Sequence, residues 1–173
     1  ERVRVNDNFA QLGTLVDAKD LITIDGEKDK PIESYVYIAY HKPKGIISTA
    51  NRSIKNNIVD AMNYKDRIFH IGRLDKDSEG LIFMTNHGEI VDQILSKNKA
   101  HEKEYLVKVD RMIDSQTLTQ LSQGVEILGK VTKPCKVSRV NDDTFKIILT
   151  EGMNRQIRRM TKVFNYKVIE LKR

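Results

Sequence analysis

Residues 67–86 read RIFHIGRLDKDSEGLIFMTN. Two apolar runs, IFHI and LIFMT, flank a charged hinge, GRLDKDSEG. Short runs rich in Ile and Phe and bounded by glycine are strand signals. The stretch therefore predicts two strands joined by a short connection. The hinge sets Asp75, Asp77 and Glu79 beside Arg73 and Lys76. A solvated surface turn has this composition. So has a loop that holds a catalytic carboxylate rigidly at a strand end. The local pattern leaves both readings open.

The same pattern continues outward. Strands are expected over residues 35–40 and, after Pro43 and Gly45, over 45–49. KEYLVKVD, VEILG, CKVSRV, TFKIILT and KVIEL predict five more. Three helices are expected. The first covers 88–97, with Ile90, Val91, Ile94 and Leu95 on one face. The second starts at an Asp114 cap and ends before Gly124. The third starts at an Asn154 cap and runs to about Asn165, with Ile157, Met160 and Phe164 inward. Strands outnumber helices and the connections are short. That predicts an α+β fold with a largely antiparallel sheet, not a βαβ alternation.

Residues 1–29 stand apart. VRV and LITID alternate like strands, with turn signals at Asn6-Asp7 and Asp25-Gly26. Two short strands make no stable domain alone, so this piece reads as the end of something larger. DKPIE, residues 29–33, reads as a linker, and 30–173 as the main domain.

Composition narrows the function. The chain has 173 residues, 39% hydrophobic and 31% charged, as a soluble globular protein should. No apolar run approaches the roughly 20 residues of a membrane span, and no signal peptide opens the chain. Cys135 is the one cysteine and has no internal partner, which fits a cytoplasmic protein, expected as a monomer. The net charge is +6, and its placement says more than its size. Residues 152–173 carry Arg155, Arg158, Arg159, Lys162, Lys167, Lys172 and Arg173 against Glu170 alone. Residues 41–57 carry Lys42, Lys44, Arg52 and Lys55 with no acid. Two basic clusters on a nearly balanced chain point to a polyanion such as RNA.

Several chemistries are absent as patterns. No histidine pair sits at i, i+4 and no CxxC occurs, which predicts no metal site. There is no G-x-S-x-G elbow, no Walker A loop and no GxGxxG. What remains is a carboxylate, Asp75, with arginines on the last helix to keep it ionised or to hold phosphate. Tyr105 either stacks on a nucleobase or belongs to the core.

Four blocks in order, HKPKGIIST, GRLDKDSEGLIFMTNHGE, HEKEYLVKV and EGMNRQIRRM, resemble the pseudouridine synthases. The branch they resemble is the RsuA/RluB/RluE/RluF family of bacterial ribosomal-RNA enzymes. The resemblance covers residues 34–173. Residues 1–29 are similar to the second half of an S4 RNA-binding domain. The resemblance implies the synthase catalytic fold, a bent mixed sheet flanked by helices with a central cleft. It also implies that the domain here lacks its last strand and helix. The expected activity is isomerisation of a uridine in 23S rRNA without a cofactor, and tRNA is a possible substrate. By the same resemblance Asp75 is the catalytic aspartate and Tyr105 stacks on the uracil. Arg158 ion-pairs with Asp75, Ile157 walls the base pocket and Arg73 contacts RNA near the flipped nucleotide. Lys42, Lys44, Arg155, Arg159 and Lys162 are expected on RNA phosphates. HKPKG departs from the family's usual N-K-P-x-G at His41, whose role is open.

Three rival functions share some features. A non-catalytic RNA-binding or ribosome-assembly protein needs only the basic clusters. An enzyme of the same family acting on tRNA or 16S rRNA needs all the blocks. A glycosidase using Asp75 and Asp77 would need carboxyls roughly 5–10 Å apart across a sugar. The absence of Trp argues against glycan binding.

Overall fold

The structure is a computed structural model that describes residues 2–28, 34–96 and 101–173. The expected linker at 29–33 lies outside the described residues, as does Lys97 at the end of the expected first helix. The chain divides into two compact units, Glu1–Tyr35 and Val36–Arg173.

The first unit is a four-stranded antiparallel sheet. Its strands are β1 (Val3–Val5), β2 (Asn8–Phe9), β3 (Ile22–Ile24) and β4 (Glu27–Lys28), in the order β2-β1-β3-β4. Asn6-Asp7 and Asp25-Gly26 all take positive φ, as the turn signals require. Arg2 ion-pairs with Asp25, and the Arg4 guanidinium lies 4.1 Å over the Phe9 ring.

The second unit follows the α+β expectation. β5 (Tyr37–Lys42), α1 (Ile58–Met62), β6 (Phe69–Ile71), β7 (Gly80–Thr85) and α2 (Glu89–Leu95) come first. β8 (Lys103–Val109), α3 (Ser115–Gln123) and the small hairpin β9 (Glu126–Ile127) and β10 (Lys130–Val131) follow. β11 (Lys136–Arg139), β12 (Thr144–Leu149), α4 (Gln156–Val163) and β13 (Val168–Lys172) complete it. The strands form antiparallel sheets β5-β7-β6 and β11-β12-β8-β13. A parallel bridge between Glu79 and Lys172 links the two sheets. There the backbones come very close. A Cβ on Gly80 would lie 2.2 Å from the carbonyl oxygen of Arg173, so only glycine fits.

Two apolar clusters fill the unit. The larger includes Val107, Leu121, Phe145, Ile147, Ile157 and Met160. The smaller holds Ile58, Val59, Ile68, Leu74, Ile82 and Met84. Tyr105 packs against both.

Three expectations need correction. Residues 45–49 are a loop, because Ile47 bridges Asn57 at the start of α1 instead of joining a ladder. α1 is a short helix beyond the three expected, and the Asn57 side chain at its start accepts from the Asp60 N–H. Asn154 does not cap α4. Arg155 does, with φ 51°, while Arg159 donates to the Asn154 carbonyl and Oδ1.

Candidate active site

Asp75 lies in the loop between β6 and β7, half-buried and following the buried Leu74. Outside a ladder, a loop must find backbone partners elsewhere, and this one finds them from three directions. Ser48 Oγ donates to the Leu74 carbonyl at 2.8 Å and accepts from the Leu74 N–H at 3.1 Å. The Gly45 N–H donates to the Lys76 carbonyl at 2.8 Å. The Ser78 N–H closes the turn on the Asp75 carbonyl at 3.1 Å. At the exit, the Glu79 N–H donates to Leu171, and the Glu79 carbonyl accepts from the Arg173 N–H, both at 3.0 Å.

α4 supplies the third direction. Arg158 donates to the Asp77 carbonyl at 3.0 Å, the Ser78 hydroxyl at 3.5 Å and the Val168 carbonyl at 3.2 Å. Arg155 reaches the Asp77 carboxylate at 3.4 Å. The expected Arg158–Asp75 ion pair is therefore corrected. The guanidinium meets the loop at Asp77 and Ser78, and its fork is spent on those oxygens and Val168, not on the Asp75 carboxylate. Its Nε–H is buried without a partner. Burial lowers the Arg158 pKa, and the Arg155 charge lowers it further, while Asp77 and then Asp75 pull it back up. Asp75 acts on Arg158 through the field.

Lys42 is the second correction. Expected on RNA phosphate, it is 0% exposed. Its Nζ donates to the carbonyls of Pro43 and Ile46, each at 2.9 Å. Burial lowers its pKa, opposed by the carboxylates of Asp75, Asp77 and Glu79 in that order. A buried ammonium bonded to the Pro43 and Ile46 carbonyls, in the field of three carboxylates of one loop, is part of the scaffold around that loop.

Tyr105 stands on β8 opposite Ile147, half-buried. It packs on the cluster that contains Leu74, the residue before Asp75, and on the cluster that contains Ile157. Ile157 is only 4% exposed. So the hinge, the strand tyrosine and the arginine helix, separated by up to 83 positions in sequence from Asp75 to Arg158, converge. Of the expected phosphate contacts, Lys44, Arg155 and Lys162 are exposed, with Arg155 turned to Asp77 and Arg159 half-buried on Asn154. Arg73 is exposed, and its carbonyl accepts from Arg173 at 3.5 Å. Ser48 escaped sequence reasoning. Its hydroxyl sits beside that of Thr49 at the end of the run GIIST, and nothing local says which of the two turns inward.

The arrangement holds a carboxylate on a loop whose backbone is fastened at several points, with Tyr105 packed on the apolar cluster that contains Leu74. Fixed groups of this kind lower a barrier by removing reorganisation.

Comparison with known proteins gives one consistent family. The sequence profile of the RNA pseudouridylate synthases matches residues 36–162. The chain is 48% identical, over 99% of its length, to the dual-specificity RNA pseudouridine synthase RluF of Salmonella typhi, and spans 60% of that protein. It is 33% identical to the ribosomal large subunit pseudouridine synthase B of Bacillus subtilis (strain 168), over 99% of this chain and 74% of that one. A crystal structure of pseudouridylate synthase superposes with a TM-score of 0.76 at 24% identity, covering 99% of this chain and 76% of the other, which establishes a shared fold.

Proposed function

The chain belongs to the RNA pseudouridylate synthase family, and from that premise we propose that it isomerises a uridine of RNA to pseudouridine with Asp75 as the reacting carboxylate. The observation that carries the assignment is the convergence on one loop: Leu74 shares an apolar cluster with Tyr105, and Arg158 holds the two residues that follow Lys76.

The reaction breaks the N1–C1′ bond of a uridine, turns the freed uracil and joins C5 to C1′. The C5 proton leaves and N1 ends protonated, so atoms and electrons balance with no outside redox partner. The target base must first leave its stack, at a cost of a few kcal/mol offset by contacts in the site. Asp75 attacks C1′ or removes the C2′ proton; both roles need the anion. Tyr105 would hold the detached uracil by stacking, with Ile157 behind it.

For substrate we infer large-subunit rRNA, 23S in bacteria, with tRNA as a second possibility. The supports are the large-subunit specificity in the name of the Bacillus relative and the dual specificity in that of the Salmonella one. Lys44, Lys162 and Arg73 are the exposed cations we assign to RNA phosphates. The leading unit, with Arg4 over Phe9, is read as the end of an S4-like RNA-binding domain. We take the protein to act as a cytoplasmic monomer; among the described residues no helix is long and apolar enough to cross a membrane.

The test is to incubate the protein with 23S rRNA and, separately, with bulk tRNA from a strain lacking it, then map pseudouridine. New pseudouridine at one or a few positions of 23S rRNA is expected. No new pseudouridine in either RNA, with RNA binding intact, would favour the non-catalytic reading.

A further inference from the structure

Ser48 is 3% exposed and lies in the loop between β5 and α1, where no ladder requires a hydroxyl. Its Oγ gives a hydrogen bond to the Leu74 carbonyl at 2.8 Å and takes one from the Leu74 N–H at 3.1 Å. Only a group that is both donor and acceptor can serve one residue in this way. Leu74 is itself 7% exposed and sits between β6 and β7, so without Ser48 both its polar groups would be buried and unpaired.

The Leu74 carbonyl belongs to the peptide group whose other half is the Asp75 nitrogen. That group is planar, so fixing its carbonyl oxygen fixes the plane from which the Asp75 Cα and carboxylate project. Ser48 is in turn anchored. The neighbouring Ile47 N–H donates to the Asn56 carbonyl at 2.8 Å, and the Ile47 carbonyl accepts from the Ile58 N–H at 3.0 Å at the start of α1. Rigidity passes from α1 through Ile47 and Ser48 to the peptide before Asp75.

The rest of the loop has its own fastenings. Gly45 holds Lys76, Arg155 and Arg158 hold Asp77, and Leu171 holds Glu79. Losing the Ser48 hydroxyl would thus leave the loop attached while releasing the one peptide that aims the carboxylate.

We propose that Ser48 is a positioning residue for Asp75, orienting the carboxylate through the Leu74–Asp75 peptide; this rests on Asp75 being the reacting group. A misplacement of about 1 Å can cost on the order of 100-fold in rate. The experiment measures single-turnover rate at saturating RNA, RNA affinity and thermal midpoint for Ser48→Ala, Ser48→Thr and Asp75→Asn in the full chain. For Ser48→Ala the expected result is a fold that stays cooperative, RNA affinity within about threefold, and a rate lower by roughly 10–100-fold. Ser48→Thr, which keeps the hydroxyl, should recover most of the rate. A folded Ser48→Ala at wild-type rate overturns the proposal. So does a folded Ser48→Thr as slow as Ser48→Ala. If Ser48→Ala does not fold, Ser48→Cys decides: its weak thiol should slow a folded enzyme, and full rate overturns the proposal. Asp75→Asn separates the two layers. If it keeps turnover, the parent assignment fails; if it is dead while Ser48→Ala runs at full rate, only the role of Ser48 fails.

Discussion

The two basic segments, residues 41–57 and 152–173, look alike as sequence, and they brace the same loop by different means. Each divides its cations between scaffold and surface. In the first, Lys42 is fully buried on two carbonyls, while Lys44, two residues on, is exposed. In the second, Arg155 and Arg158 turn onto Asp77 and Ser78, Arg159 folds back on Asn154, and Lys162 stays exposed. The buried ammonium is tolerated because the carbonyls of Pro43 and Ile46 accept its hydrogen bonds and it lies in the field of three carboxylates of one loop. The arginine is used where several oxygens at different angles must be held at once, which a point charge cannot do. Both segments therefore brace the Asp75 loop, and each keeps further lysines exposed: Lys44 and Lys55 in the first, Lys162, Lys167 and Lys172 in the second.

That division can be broken from its strong end downward. Lys42→Met removes the buried charge and leaves the Pro43 and Ile46 carbonyls without their donor. A loss of about 1–3 kcal/mol is expected in denaturant titration. Its pH dependence has a definite sign. Burial holds the folded Lys42 pKa below the ordinary lysine value of 10.5, so between the two values the unfolded chain binds more protons. Wild-type stability should gain on that of Lys42→Met as pH rises through that window. Equal stability of the two proteins would place Lys42 outside the scaffold.

Arg158→Lys comes next. Lysine keeps the charge but cannot span Asp77, Ser78 and Val168 together. Turnover should fall by about tenfold or more, with RNA affinity changed less than about threefold. A variant at full rate would show that charge alone suffices.

Lys44→Ala and Lys162→Ala probe the surface members. Each should weaken RNA binding and reduce the slope of log affinity against log salt by up to about one unit. Lys42→Met should leave that slope unchanged. If Lys42→Met flattened it while Lys44→Ala did not, the division would be reversed.

The smallest effect lies far from the loop. Asp114 caps α3, its carboxylate accepting from the Thr117 N–H, the Thr117 hydroxyl and the Tyr166 hydroxyl, which hold its pKa at about 2. A depressed carboxylate contributes stability above its unfolded pKa and loses it as pH falls toward the folded value. Asp114→Asn should narrow the stability lost between pH 4 and pH 2 and leave turnover at pH 7 unchanged. An identical acid profile would remove the cap from the account.

What the sequence could reveal follows the same line between local and distant causes. α3 was legible because its signals are local: a capping aspartate at one end and Gly124 at the other. α4 was legible in its apolar face but not in its start. Asn154 is an ordinary cap type, and nothing nearby says that Arg159 will claim its oxygens or that Arg155 will take a positive φ. Residues 45–49 have strand composition, yet the partners of Ile47 come from Asn56 and Ile58, so the apolar run packs as a loop. Lys42 and Ser48 were beyond reach for one reason: a lysine reads as surface and a serine as neutral until a buried partner is known. Asp75, Tyr105 and Arg158 stood out only as ordered blocks resembling a family, and their convergence is tertiary.

The central claim is that Asp75 carries the chemistry and the basic segments serve it. Asp75→Asn keeps size and shape and removes the charge. Pseudouridine formation should fall to background in single-turnover assay while RNA affinity stays within about threefold of wild type. Normal turnover by a folded Asp75→Asn protein would contradict the account outright.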